Sequence, residues 1–163
     1  MAGISTMNTT QQDILALLIE QEEWIGQLYK AYQNLFPELD SFWGQLAEEE
    51  DGHAGLLKQL AGRMDQATCS FDARKFNTVG LRTSSEHIRK QVQIANTEPV
   101  TLVRALATAF DLETGLIEKE FFKVVVVNPA EVQREWQALT EETQAHRKRI
   151  AVRLAEERNR SRV

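Results

Sequence analysis

Cysteine occurs once in this chain, at Cys69, so there is no partner for an intrachain disulfide and no thiolate set for a zinc ribbon or a four-cysteine iron site. Proline is nearly as scarce, with Pro37, Pro99 and Pro129 only, and long stretches therefore lack the residue that most firmly ends a helix. No run of about 18 apolar residues is present. The opening MAGISTMNTTQQD also lacks a basic segment followed by an apolar one. Neither a membrane span nor a secretory leader is expected, and a lone cysteine suits a reducing, cytoplasmic setting. No alternating strand pattern, phosphate-cradling glycine loop, Ser/His/Asp set or cysteine nucleophile stands out, which leaves hydrolase and nucleotide-dependent chemistry without a foothold.

What is present is ordinary in bulk. With 163 residues, 42% hydrophobic and 26% charged, the chain suffices for one domain with its own apolar core. The net charge is −5, yet Arg147 to the end holds seven basic residues against Glu156 and Glu157. Such a tail complements the dipole of a helix C-terminus, and nucleic acid is not an expected partner.

Apolar residues recur at steps of three and four in four long segments. The first, about 11–35, follows Thr10 as a candidate N-cap and carries Ile14, Leu18, Ile25, Tyr29, Tyr32 and Phe36. The second, about 40–61, carries Trp43, Leu46, Leu57 and Leu60 and is expected to stop at Gly62. The third, about 98–127, starts near Pro99 and presents Val103, Leu106, Phe110, Ile117, Phe121 and Val124, with the valine run 124–127 read as a buried helix end. The fourth, about 129–158, opens on Asn128-Pro129 and shows Val132, Trp136, Leu139, Ile150 and Leu154. A long connection, 62–97, separates the two pairs and has room for a short helix at about 85–95. Together these predict an all-α, antiparallel four-helix bundle with one long crossover.

The two pairs are related by an internal duplication. LAEEEDGH at 46–53 aligns with LTEETQAH at 139–146, setting His53 opposite His146, Glu49 opposite Glu142 and Glu50 opposite Thr143. Each apolar stripe is broken by polar side chains that the periodicity turns inward: Glu22, then Glu50 and His53, then Glu113, then Thr143 and His146. Glu20, Glu23, Glu48, Glu49, Glu118 and Glu120 fall on solvated faces, and His87 lies in the exposed connection. A carboxylate facing a bundle core is costly unless it is protonated, paired or metal-bound, and no lysine or arginine shares these stripe positions. Oxygen and imidazole donors suit a divalent ion of iron, manganese or zinc, and residues at i and i+3 of one helix can aim at one ion.

The order Glu22, Glu50-x-x-His53, Glu113 and a second segment ending at His146 resembles the rubrerythrin-like branch of the ferritin-like superfamily. The stretch EEWIGQLYKAYQNLFPELDSFWGQLAEEEDGHAGLL, 22–57, is similar to the first half of such proteins, with Tyr29 seven residues after Glu22. The resemblance implies one or two bound ions, iron before manganese or zinc, held by Glu22, Glu50, His53, Glu113 and His146. It also implies peroxide reduction or iron oxidation as the chemistry, although the sequence departs from the pattern at Thr143, where a glutamate would stand. Glu142, only about 40° away from the His146 direction around the helix, is a candidate to replace it. No Cys-x-x-Cys module is present, so an electron donor would be a separate molecule. The competing expectation is a degenerate bundle without metal that acts as a structural or binding module. A homodimer or larger assembly is expected, because a long fourth helix that overhangs its neighbours leaves apolar surface uncovered.

Overall fold

A computed structural model describes residues 9–64, 69–118, 125–127 and 130–162. Five α-helices pack together: α1 (Thr9–Leu35), α2 (Asp40–Met64), α3 (Thr78–Thr97), α4 (Leu102–Glu118) and α5 (Ala130–Arg160). Among the described residues, no helix is long and apolar enough to cross a membrane.

The first reversal is set by Phe36-Pro37. The chain tightens into a single 3-10 turn over Pro37–Leu39, and Asp40 then opens α2, so α1 and α2 lie antiparallel against each other. Thr10 sits inside α1 rather than at its cap. Gly62 does not end α2, which continues through Met64; a glycine in a helix costs only about 1 kcal/mol, less than packing can supply.

The connection after α2 is more structured than its composition suggests. In place of a short helix at 85–95, α3 spans 20 residues. Asn77 starts it by accepting a hydrogen bond from the Gly80 amide at 3.0 Å, and Leu81, Ser85, Ile88, Val92 and Ala95 form the buried face. That face packs against α1. After α3 the chain is extended through Pro99, and α4 begins only at Leu102, because the Thr101 hydroxyl caps it by accepting from the Arg104 amide at 3.2 Å.

The expected helix over 98–127 is also too long at its other end. The last helical residue described is Glu118, and Val125–Val127 form a strand, β2, antiparallel to β1 (Cys69–Phe71), with Ser70 opposite Val126. Three consecutive β-branched residues favour extended backbone once a partner strand is at hand. The expected Asn128 cap and Pro129 helix start lie outside the described residues.

The apolar core falls into two clusters. One gathers Ile25, Leu28, Tyr29, Tyr32, Trp43, Leu46, Leu106, Ala109, Ile150 and their neighbours. The other gathers Ile14, Leu15, Leu18, Leu57, Leu60, Leu81 and Trp136. On α1, α2 and α5 the residues between these clusters are Gln21 and Glu22, Glu50 and His53, and Thr143 and His146, all buried. With Glu113 from α4 they form a polar layer between two apolar ones.

Candidate metal centre

The layer is closed to water. Glu22, Glu50, His53, Glu113, Thr143 and His146 are each 1–3% exposed. Glu22 comes from α1, Glu50 and His53 from successive turns of α2, Glu113 from α4, and Thr143 and His146 from successive turns of α5. The two imidazoles lie nearly parallel, with ring centroids 5.1 Å apart and an 18° angle between planes.

Both histidines turn Nδ1 toward the carboxylates. His53 Nδ1 is 3.3 Å from Glu50 Oε2 and 3.5 Å from Glu22 Oε2. His146 Nδ1 is 2.8 Å from Glu50 Oε1 and 3.8 Å from Glu113 Oε1. Glu50 therefore stands between the rings with one oxygen toward each, flanked by Glu22 on the His53 side and Glu113 on the His146 side. The Tyr29 hydroxyl, also buried, donates to Glu113 Oε1 at 2.7 Å and fixes that carboxylate from α1.

The outer ring nitrogens meet a second pair of carboxylates, crossed between the halves of the duplication. His53 Nε2 is 2.7 Å from Glu142 Oε2 of α5, and His146 Nε2 is 2.6 Å from Glu49 Oε2 of α2. Glu49 is also paired with Arg149. The Glu142 side chain is 57% exposed and approaches His53 from outside, so it does not occupy the inner position expected of a Thr143 substitute. Glu49, assigned to a solvated face from periodicity alone, belongs to this arrangement. The signal for it was the duplication, in which Glu49 and Glu142 are equivalent and each precedes a histidine by four residues.

Close approach does not satisfy every atom. Glu22 Oε2, Glu50 Oε1, Glu113 Oε2 and both nitrogens of His146 are buried without a hydrogen-bond partner. The carboxylates near His146 are within ion-pair distance but off the directions its N–H groups would need. Orphaned oxygens and an orphaned ring nitrogen around one point are a costly arrangement for a core unless another group completes it.

The electrostatics show how the layer balances itself through protons. Burial, reinforced by the Glu50 charge, pushes Glu22 well above the usual carboxylate range, and the same two causes raise Glu113. Burial pushes Glu50 upward too, but interactions with His146 and His53 prevail and hold it far below that range. For His53, burial favours the neutral ring, yet the Glu22 and Glu50 carboxylates facing it lift it to about 11. His146 is raised against the same burial, by Glu113 and Glu50, to about 10. The layer thus favours protons on Glu22, Glu113 and both rings while keeping Glu50 ionised, and two protonated rings stacked on each other repel.

The donor set fits a divalent cation. Glu50, His53 and His146 each offer one ligand atom within 4.8 Å of the others. An ion there would replace the protons, pair with the orphaned oxygens and return both rings to neutrality. An imidazole that binds metal through one nitrogen commonly donates its other N–H to a carboxylate, as the Glu142 placement allows at His53, while Glu49 lies at ion-pair distance from the outer nitrogen of His146. Of the remaining residues singled out from sequence, Trp43 and Trp136 are core, Glu20 pairs with Arg89, Glu23 pairs with Lys58, and His87 is exposed. The side chains of Glu118 and Glu120 lie outside the described residues. Compared with protein-family models, curated proteins and solved structures, the chain matches none of them.

Proposed function

We propose that this chain is a ferritin-like, rubrerythrin-like metal-binding protein, with α1, α2, α4 and α5 as the bundle and the β1–α3 segment as its long crossover. Glu22, Glu50, His53, Glu113 and His146 hold the metal, iron before manganese or zinc. The observation that carries this reading is the buried layer itself: two Nδ1 atoms and three carboxylates face one another, several without partners, while each outer Nε2 is met by a carboxylate. Bound iron would supply one-electron chemistry toward peroxide or oxygen, as peroxide reduction or iron oxidation.

The protein's part is positional. Glu142 holds the His53 ring with Nδ1 inward, Glu49 faces the outer nitrogen of His146 as an ion-pair partner, Tyr29 holds Glu113, and the apolar clusters on either side exclude bulk water. With Thr143 in the layer and Glu142 outside it, three inner carboxylates remain. They leave an excess of −1 around one divalent ion and +1 around two. One tightly held ion per chain is therefore favoured over a pair. In the redox role, the electrons would come from a separate donor molecule, since these residues include a single cysteine.

Cobalt(II) titration tests the proposal. A saturating visible band at about one equivalent, of the intensity expected for nitrogen and oxygen ligands and lost in His53→Ala, is the expected result. A flat titration with no gain in thermal stability would favour the other reading, a metal-free bundle in which the same layer is only a proton-balanced core.

A further inference from the structure

A second site, separate from the polar layer, lies where α1, α3 and α4 meet. A cavity of about 370 Å³ opens there to solvent. Its inner wall is Ile25, Ile88 and Leu112, both isoleucines buried, together with buried Gln21, whose side-chain amide is committed to the Leu81 carbonyl at 2.9 Å; its rim is Thr83, His87 and Asp111, all exposed. The lining is thus mainly apolar inside and polar at the mouth, the arrangement of a small-molecule site of modest size.

Two observations give this cavity more content than an incidental groove. The first is Gly115. It lines the cavity in the interior of α4, where a glycine weakens a helix relative to alanine, and a Cβ built on it would meet nothing within 4 Å. No neighbour requires glycine at this position, and its missing side chain is part of what leaves the space open. The second is Asp111. It forms no ion pair or hydrogen bond among the described residues, so its charge at the mouth of the cavity is not neutralised by a neighbouring cation. An unpartnered carboxylate at the mouth of an apolar recess selects a positive head group on an apolar body.

We propose that the α1/α3/α4 cavity binds a small amphipathic cation, an organic amine whose apolar portion rests on Ile25, Ile88 and Leu112 and whose ammonium group meets Asp111. His87 and Thr83 supply ring-nitrogen and hydroxyl contacts around the head group. The site does not depend on the metal. Ile25 is nevertheless one turn along α1 from Glu22, on the same face, and Leu112 directly precedes Glu113, so a bound amine sits one layer of side chains from the polar centre.

The test uses benzylamine, benzyl alcohol and benzoate as probes, followed through the backbone amide resonances of the isotopically labelled full chain. Benzylamine is expected to cause saturable shifts at Thr83, His87, Asp111 and Gly115, with benzyl alcohol weaker and benzoate weakest. Asp111→Asn should weaken benzylamine by up to about fivefold, the scale of one exposed ion pair. Gly115→Leu, which fills the open space, should abolish the shifts while leaving the helical circular dichroism intact. The proposal is overturned if benzylamine produces no saturable shift at these amides, if benzoate or benzyl alcohol binds as well as the amine, or if binding is unchanged in a folded Gly115→Leu protein. Because the probes contain no metal and the readout requires none, each of these outcomes is independent of whether the polar layer takes iron.

Discussion

Glu50 is the side chain on which the layer turns, since its two oxygens face different histidines, at 3.3 and 2.8 Å. Removing its charge removes a partner from both rings at once. Glu50→Gln is therefore expected to lower cobalt occupancy more than Glu22→Gln or Glu113→Gln, each of which faces one ring; equal losses in a titration of the three variants would argue against a central role. The protons make a second residue-scale prediction. His53 and His146 have folded values of about 11 and about 10, above the ordinary 6.5. The stability they contribute is fully present below about pH 6.5 and is lost as pH rises toward 10 and 11. The raised Glu22 and Glu113 act with the same sign, beginning from lower pH. Urea unfolding of metal-free protein should show stability falling across the alkaline range, whereas saturating divalent metal, which displaces those protons, should flatten the fall and bind more tightly as pH rises. The inner five residues were legible in the sequence because each interrupts an apolar stripe. Glu49 was not, because it lies beside the stripe and only its long side chain brings it to His146.

At the scale of the element, local chemistry decided boundaries that periodicity left open. The Asn77 side chain caps α3 and the Thr101 side chain caps α4, each through the amide three residues on. Asn77→Ala should cost about 1 kcal/mol in chemical denaturation, and a loss near zero would show that tertiary packing alone sets the start of α3. Gly62 offers the opposite test: it is exposed within α2, with nothing within 4 Å of a Cβ built there, so Gly62→Ala should stabilise by up to about 1 kcal/mol. The four long helices could be read from their stripes. The strand at Val125–Val127 could not, because its pairing partner at Cys69–Phe71 is distant in sequence and nothing local announces the pairing. The same holds for the full length of α3, whose buried face becomes visible only once Leu81 and Ser85 are joined to Ile88, Val92 and Ala95.

At the scale of the whole molecule, two apolar clusters enclose one polar layer, and that placement explains how a chain of this size tolerates three carboxylates and two imidazoles in its interior. Val152 is more than half exposed on α5, in a shallow recess it shares with Phe42, and a homodimer stands as a proposal for this chain. Sedimentation at tens of micromolar should give twice the chain mass; a monomer would contradict it. Thr143 connects the molecule's evenness to its chemistry, since it is the one inner position where the duplicated halves differ in charge. Thr143→Glu should move metal content toward two ions per chain and make stability more dependent on metal, because an added buried carboxylate costs several kcal/mol without one. The most direct measurement remains the metal content of the parent protein, expressed with supplemented iron, purified without chelator and analysed for iron, manganese and zinc per chain. The account predicts about one ion per chain, iron in excess of the others, and its loss in Glu50→Gln. Protein that is fully folded, free of all three metals and unable to take up iron on addition would contradict it.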